Sequence, residues 1–261
     1  MDAATLLEIH AGIATITLNR PENRNALSVE LVDSLADHLD QTMADPAVRL
    51  IVLTNTGNTF CAGADLKAAL AGGPPEPGSG RTFIDIFNTI LDASKPVIGR
   101  INGHALAGGL GLAAVCDISV MAASATLGFT EVRIGVAPAV ISVVCLPKMR
   151  RSDALELFLT GERISAARGA EVGLVNYAVA DDELDDKVAE LVAKVVRGGP
   201  TALAVAKQLV ARVPQLGREE AFAWTGPLSA GLFAAEEGQE GITAFRNKRD
   251  PAWIPETLPK A

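Results

Sequence analysis

The chain has 261 residues, of which 49% are hydrophobic, 21% charged and 4% aromatic, and its formal net charge is −8. A chain of this length and composition buries enough apolar surface to fold as an α/β domain without disulfides or a structural metal. The acidic balance and the few aromatic rings argue against nucleic-acid binding, which needs positive charge and exposed stacking groups.

The cysteines indicate a reducing environment. Cys61, Cys116 and Cys145 are odd in number and have no paired spacing, so we predict free, buried thiols and no metal site. The N-terminal residues lack the basic and apolar regions of a signal peptide, and the longest apolar run, 105–116, is too short to cross a bilayer. We therefore expect a cytoplasmic protein that does not bind membranes.

The first part of the chain alternates predicted strands with predicted helices. Residues 6–18 predict two strands around a turn at Ala11-Gly12. Ser28 is predicted to cap a helix with one apolar face, which ends at Asp45-Pro46. Further strands are predicted at 49–55, 95–102 and 117–122, a helix at 81–93, and a Gly/Pro-rich surface loop at 72–80.

From about residue 138 the chain is predicted to be mostly helical. Pro138 suits the first turn of a helix, and Ser152 and Ser165 are predicted helix caps. Long helices are predicted over 183–197, 201–212 and 218–247. The pattern indicates an α/β core followed by a helical tail.

One buried segment, INGHALAGGLGLAA (101–114), contains four glycines and no charged side chain. Glycine costs about 0.5–1 kcal/mol relative to alanine inside a helix, so the segment needs a reason for them. A strand that passes through glycines into a helix presents backbone N–H groups at a helix N-terminus, where partial positive charge gathers. The alternative is tight packing of this turn against another helix. No GxxxxGK[ST] or GxGxxG pattern is present, which argues against a phosphate loop.

A second stretch, TFCAGADLK (59–67), has the same order of strand, glycine-containing turn and helix. It follows a predicted strand, passes through Ala62-Gly63-Ala64 and enters a predicted helix near Asp65. Two such turns can aim two backbone N–H groups at one oxygen, as an oxyanion hole does.

These stretches resemble those of the enoyl-CoA hydratase/isomerase (crotonase) superfamily. The resemblance extends in order over nearly the whole chain, through RPENRNAL (20–27), ATLGFTEVRIGVAP (125–138), LTGERISAARGAEVGLVN (159–176) and FRNKRDPAW (245–253). It implies an α/β fold with a spiral of ββα units over residues 1–195. It also implies a C-terminal helical region over 196–261 that assembles homotrimers, usually stacked as dimers of trimers. The two parts form one functional unit.

The same resemblance implies an acyl-CoA thioester as substrate. By motif, the backbone N–H groups of Ala64 and Gly108 hold the thioester oxygen. No metal or redox cofactor is implied, because CoA arrives with the substrate. Ala62, Asp65, Leu66, Lys67 and Gly109 match the stretches that bind CoA. Arg24 and Lys248 are candidates for the CoA phosphates, with a solvated surface position as the alternative for each.

The chain departs from the family pattern at its acid/base residues. Hydratases of the family usually carry two glutamates; the first position is Gly111 here, and the second is Glu131. The segment APAVISVVC (137–145) replaces a PGAGG-like run. Together, Gly111 and the PAVIS run resemble a bacterial subgroup that includes hydratases of branched or carboxylated enoyl-CoAs, such as the methylglutaconyl type. Arg133 is close enough in sequence to pair with Glu131, which would lower the pKa of that carboxyl. His104 is interpreted as a core histidine.

Three functions remain open from these residues. The first is hydration of 2-enoyl-CoA in fatty acid metabolism, with Glu131 orienting water and returning a proton to C2. The second is Δ3,Δ2-enoyl-CoA isomerisation, with Glu131 moving a proton between C2 and C4. The third, motivated by Gly111, is a catalytically weak protein that only binds acyl-CoA.

Overall fold

The computed structural model describes residues 3–66 and 80–254. Lys67 and most of the predicted loop at 72–80 lie outside the described residues. The strands are β1 (Thr5–His10), β2 (Ile13–Leu18), β3 (Leu50–Asn55), β4 (Thr59–Cys61), β5 (Val97–Ile101), β6 (His104–Leu106), β7 (Ile118–Ala122), β8 (Thr126–Gly128), β9 (Ile164–Ser165) and β10 (Tyr177–Val179).

The larger sheet of the described residues has the strand order β1-β2-β3-β5-β7-β10. Strands β1 and β2 form an antiparallel hairpin, and the other neighbours are parallel. The hairpin turns at Ala11 and Gly12, whose φ angles are 49° and 79°, as expected for a two-residue turn with a matching twist. Every residue of β3 is buried, which confirms the prediction of a strand covered on both faces.

A smaller sheet contains β4-β6-β8-β9, with β9 antiparallel to the other three. Its strands have only two or three residues each. Sequence analysis did not predict them, because a run this short shows no period-2 pattern. This sheet nevertheless determines where the glycine-rich turns lie.

Helices connect and cover the strands. They are α1 (Val29–Ala44), α2 (Phe83–Asp92), α3 (Gly108–Val115), α4 (Ala139–Cys145), α5 (Arg151–Thr160), α6 (Ala166–Glu171), α7 (Leu184–Val195), α8 (Pro200–Arg212), α9 (Arg218–Ala234) and α10 (Glu236–Arg246). The Ser28 and Ser165 caps are confirmed, because each side chain accepts a backbone N–H three residues later. Ser152 is not a cap: α5 begins one residue before it, at Arg151.

The predicted helix over 218–247 is in fact two helices. Ala235 between them is extended, with φ −68° and ψ 154°. The corner is tight, since a Cβ on Gly238 would overlap the carbonyl oxygen of Leu232. It also places Glu237 at the start of α8, where its carboxylate accepts the N–H groups of Thr201 and Ala202 at 2.9 Å each. Side-chain periodicity alone does not show such a corner.

The cysteine prediction is confirmed. Cys61, Cys116 and Cys145 are free and buried, and burial raises the pKa of each thiol to about 12. Across the described residues, no helix is both long and apolar enough to span a bilayer.

Polar contacts attach the C-terminal helices to the strands and helices before them. The Lys207 ammonium, on α8, donates to Asp117 Oδ2 at 2.8 Å and to the carbonyl oxygens of Ile90 and Lys95 at 3.1 and 3.3 Å. Arg49 donates to the carbonyl oxygens of Gly198, at 3.0 Å, and Trp253. The Lys207 side chain is only 13% exposed, so its hydrogen bonds compete little with water.

We expect the Lys207→Met substitution to lower the free energy of unfolding by about 1–3 kcal/mol, because it leaves Asp117 and two carbonyls without this donor. The measurement is urea unfolding followed by circular dichroism. Lys194→Met is the matched control, since Lys194 makes an exposed ion pair with Glu190 on α7 and its loss should cost at most about 0.5 kcal/mol. Equal effects of the two substitutions would contradict the anchoring role of Lys207.

Candidate active site

Three parallel strands of the smaller sheet end side by side. Cys61 at the end of β4 pairs with Ala105 in β6, and Leu106 pairs with Gly128 at the end of β8. The segments that follow these strands therefore leave the same edge of the sheet. Carboxyl ends of parallel strands are the usual position of ligand sites in α/β proteins. The segments are 62–64, 107–108 and 129–131.

The first turn is held by the loop at residues 20–27. Ala62 N–H donates to Arg24 O at 3.0 Å, and Leu27 N–H donates to Gly63 O at 2.8 Å. Gly63 has φ +89°, and a Cβ there would lie 2.8 Å from Ala107 Cβ and 2.9 Å from Gly108 N. Glycine is thus required both by the backbone angle and by contact with the second turn.

The second turn is strained at Ala107, which has φ 49° and ψ −127°. A non-glycine residue in this region costs about 1–3 kcal/mol, and such residues concentrate at functional sites. The turn is fixed by hydrogen bonds from Ala107 N–H to Gly128 O at 2.9 Å and from Leu110 N–H to Ala107 O at 2.9 Å. Gly108 then begins α3, so its N–H has no acceptor within the helix.

The two predicted oxyanion residues are brought together by these turns. Ala64 is exposed and Gly108 is half-buried, whereas Gly63 and Gly109 beside them are buried. Within the described part of the chain, neither the Ala64 amide nor the Gly108 amide has a hydrogen-bond acceptor. Two such amides on touching turns are the kind of donors that can bind an oxygen carrying negative charge.

Most glycines of the 101–114 segment serve protein packing rather than ligand contact. A Cβ on Gly103 would overlap the Asn58 carbonyl group, and one on Gly109 would overlap the carbonyl oxygen of Cys61. The packing alternative of the sequence analysis named another helix as the partner, whereas these two glycines pack against Asn58, just before β4, and Cys61, at the end of β4. Gly109 lies against Cys61, and its contact with CoA stays a prediction.

Position 111 has no space for a side chain. A Cβ on Gly111 would overlap Ile141 Cγ2 and lie 2.8 Å from Phe87 Cζ. Ile141 and Phe87 are only 2% and 3% exposed. The volume next to Gly111 is thus filled with hydrocarbon, and a carboxylate cannot be added there unless Ile141 and Phe87 shift.

Glu131 follows the third strand end. It lies on a 3-10 turn, Thr130–Ile134, which ends at Gly135 with φ 77°. Phe129 anchors the turn: it is fully buried and its ring centroid is 4.2 Å from that of Phe158. Glu131 Oε2 is buried and has no hydrogen-bond partner among the described residues. Burial raises the pKa of this carboxyl, opposed in part by a backbone hydrogen bond.

A carboxyl group in this state suits acid/base chemistry, since an elevated pKa brings it closer to neutral pH. The predicted pairing with Arg133 is not found. Arg133 Nε donates to Thr160 O at 2.8 Å instead. His104, interpreted as a core histidine, is half-buried rather than part of the core. Its Nδ1 lies 3.0 Å from both Thr126 N and Thr126 Oγ1, so the ring has protein partners.

The predicted CoA-binding residues are distributed around the first turn. Arg24 is exposed, Ala62 and Asp65 are half-buried, and Leu66 is exposed. Lys248 is exposed just after α10, and its described hydrogen bond is to Phe245 within the same segment. The structure therefore joins Arg24 to Ala62 through the backbone, and no hydrogen bond among the described residues joins Lys248 to the turns. In the described ranges, His, Cys, Asp and Glu form no group of three that could hold a metal.

Sequence reasoning overlooked Asn25 and Leu27, which support the first turn. Asn25 is fully buried and has φ +51°. An asparagine between a polar loop and the apolar pair Ala26-Leu27 was the available signal, because asparagine is favoured among non-glycine residues in the left-handed region.

We expect Gly111→Ala to lower the free energy of unfolding by about 1–3 kcal/mol through overpacking against Ile141 and Phe87. Adding Ile141→Ala should recover part of this loss, a non-additive result measurable by urea unfolding. Gly226→Ala, in α9 with open space around it, is the control and should be neutral or stabilising. A stable Gly111→Ala protein would show that Ile141 and Phe87 shift more easily than their packing indicates.

Comparison with known proteins shows the family of this chain. The family model described as Enoyl-CoA hydratase/isomerase matches residues 8–256. A Thermus thermophilus protein provisionally named an enoyl-CoA hydratase is 35% identical over 251 residues, or 94% of this chain and 99% of that protein. The carnitinyl-CoA dehydratase of Salmonella paratyphi A is 33% identical over 247 residues, or 92% and 94% of the two chains.

A solved structure gives the same result for the fold. The crystal structure of an enoyl-CoA hydratase from Bacillus anthracis has a TM-score of 0.88 and 31% identity, covering 97% of this chain and 100% of that one. The resemblance noted in the sequence motifs is thus confirmed over nearly the whole length. The chain belongs to the enoyl-CoA hydratase/isomerase family and has the crotonase fold.

Proposed function

We propose that the protein is an enoyl-CoA hydratase that adds water to 2-enoyl-CoA thioesters. One observation carries the proposal. Among the described residues, two amides without acceptors lie on touching turns. The half-buried carboxyl group of Glu131 follows the neighbouring strand, and its Oε2 is buried without a hydrogen-bond partner. These are the groups that hydration of a conjugated thioester needs: donors for the developing oxyanion and one proton carrier.

The Ala64 and Gly108 N–H groups would bind the thioester oxygen. As water adds to C3 of the substrate, electron density moves through the double bond onto this oxygen. Fixed N–H donors stabilise that charge more in the transition state than in the ground state. Gly108 also begins α3, whose N-terminal partial positive charge adds to the effect.

Glu131 would move the proton in both directions. Its carboxylate accepts a proton from water as the water oxygen bonds to C3. The resulting carboxylic acid then gives that proton to C2 as the enolate collapses, which restores the carboxylate. One acid/base residue is sufficient to balance the protons of the reaction, because the proton removed from water is the proton delivered to C2.

A second candidate is Δ3,Δ2-enoyl-CoA isomerisation. The filled space beside Gly111 favours it, because Phe87 and Ile141 leave no position there for a second carboxylate to orient water. A single base that moves a proton between C2 and C4 needs no water. Product analysis with a 3-enoyl-CoA separates the two, since an isomerase gives the 2-enoyl-CoA without hydration.

The remaining contacts with CoA are also proposals. The turn residues Ala62, Asp65, Leu66, Lys67 and Gly109 would bind the CoA moiety, largely through the backbone. Arg24 and Lys248 would approach its phosphates. CoA enters as part of the substrate, no other cofactor takes part, and the reaction belongs to fatty acid metabolism in the cytoplasm.

The test is a spectrophotometric assay with crotonyl-CoA that follows loss of the conjugated thioester band. Glu131→Gln should be at least about 100-fold slower than wild type, the effect expected for removing a general acid/base.

Wild-type activity should decrease as the pH falls through the raised pKa of Glu131, because the protonated carboxyl cannot accept a proton from water.

Glu8→Gln, at an exposed position on β1, is the matched control and should keep wild-type activity. If wild type does not hydrate crotonyl-CoA but isomerises a 3-enoyl-CoA, the second candidate is correct. If it binds acyl-CoA without turnover, and Glu131→Gln binds equally well, the protein is a binding protein and both reactions are rejected.

We also propose that the chain assembles as a homotrimer or a dimer of trimers. Helices α8 and α9 have no buried residues, and Phe222, Phe233 and Phe245 are 70%, 65% and 86% exposed. Long helices in water need a covered apolar face, so a second copy of the chain is the proposed cover.

Light scattering after size exclusion should give a mass three or six times the 27.1 kDa of one chain. Phe222→Glu or Phe233→Glu should reduce that mass, because a charge in a buried interface is costly. Lys194→Glu, at an exposed site outside α8 and α9, is the control. A monomeric wild-type protein would reject the assembly.

A further inference from the structure

Asn25 is a buried polar residue that the proposed mechanism does not use. It lies in the loop at residues 20–27, has no solvent exposure, and adopts a left-handed backbone with φ +51°. A buried carboxamide is unfavourable unless its donors and acceptor are satisfied. Its position therefore requires specific partners.

All three partners of the carboxamide are backbone groups. Oδ1 accepts Arg20 N–H at 2.7 Å, and Nδ2 donates to Thr59 O at 2.8 Å and to Thr56 O at 3.2 Å. One acceptor and two donors are needed in this arrangement. Aspartate of the same shape supplies no donor when ionised, and leucine supplies neither group. The side chain thus ties the loop to both sides of the turn between β3 and β4.

The segments tied by Asn25 are those that hold the first oxyanion turn. On the loop side, Arg24 O accepts Ala62 N–H, and Leu27 N–H donates to Gly63 O. On the other side, Thr59 begins β4, which runs directly into the turn. Asn58 O also accepts His104 N–H at 3.1 Å, at the start of the strand that leads to the second turn.

The geometry of one peptide group connects this support to the site. Gly63 C=O and Ala64 N–H belong to the same planar peptide, which is trans. The carbonyl and the N–H therefore point in opposite directions. When Leu27 fixes the carbonyl at 2.8 Å, it also fixes the direction of the N–H. Leu27 is two residues after Asn25, in the same loop.

We propose that Asn25 is a positioning residue that aims the Ala64 N–H at the substrate thioester oxygen. The inference rests on the proposed function, since it assumes that this amide belongs to an oxyanion hole. Loss of the carboxamide would let the loop and the turn shift relative to each other. A displacement of about 1 Å is enough to cost about 100-fold in rate.

The experiment compares Asn25→Asp and Asn25→Ala with wild type by two measurements. The first is the infrared carbonyl frequency of bound [1-13C]butyryl-CoA, a saturated thioester that cannot be hydrated. The second is kcat and KM with crotonyl-CoA. Saturating butyryl-CoA also stabilises the folded variants during the infrared measurement.

In wild type, two N–H donors should lower the carbonyl frequency relative to free butyryl-CoA. We expect both variants to lose much of this shift and about 100-fold in kcat, with KM changed by no more than about threefold. In Asn25→Asp, the shift should increase again at low pH relative to wild type, because a neutral carboxyl group can donate to Thr59 O.

Leu184→Ala is the control for general destabilisation. Leu184 is fully buried at the start of α7, so its truncation lowers stability without touching the loop or the turn. It should keep the wild-type carbonyl shift and kcat. Folded Asn25 variants that behave like Leu184→Ala would overturn the positioning role.

A wild-type protein that binds butyryl-CoA without any carbonyl shift would overturn the oxyanion site itself, and the positioning role with it. This result differs from failure of the Asn25 inference alone. In that case wild type shows the shift and the Asn25 variants retain it.

Discussion

The close backbone contact between the two turns is the constraint on which the site depends. Gly63 lies against Ala107 and Gly108, and Gly109 lies against the carbonyl of Cys61. Side chains at these glycines would separate the strand ends and move the two amides apart. The contact in turn requires the parallel pairing of β4, β6 and β8, which delivers the three segments to one edge. By allowing the turns to touch, these glycines set the spacing of the two N–H groups.

The second constraint is the filled space at position 111, together with the burial of Glu131. Ile141 and Phe87 occupy the volume beside Gly111, and burial separately raises the pKa of Glu131. A site with a single carboxylate avoids the repulsion between like charges that two neighbouring glutamates experience. In the proposed mechanism, Glu131 therefore carries the proton transfer alone.

Sequence reasoning predicted the features that depend on local pattern. Buried runs such as β3 and capped helices such as α1 are visible because burial and capping leave periodic or positional signals. The motif resemblance also selected Ala64, Gly108 and Glu131. It did not predict the contacts between distant segments: the support of Gly63 by Leu27, the filling of position 111 by Ile141, or the corner at Ala235. These depend on three-dimensional packing between residues far apart in the sequence.

The turns at Ala107 and at residues 62–64 influence which mutations such a protein can accept over evolutionary time. Both proposed oxyanion donors are main-chain amides, which every amino acid except proline carries. Ordinary point mutations at Ala64 or Gly108 therefore leave these amides in the chain, whereas a mutation at Glu131 removes the proposed acid/base group outright. Descendants of one ancestor can thus keep thioester recognition while they exchange their carboxylates. A shared scaffold with divergent reactions is the expected outcome.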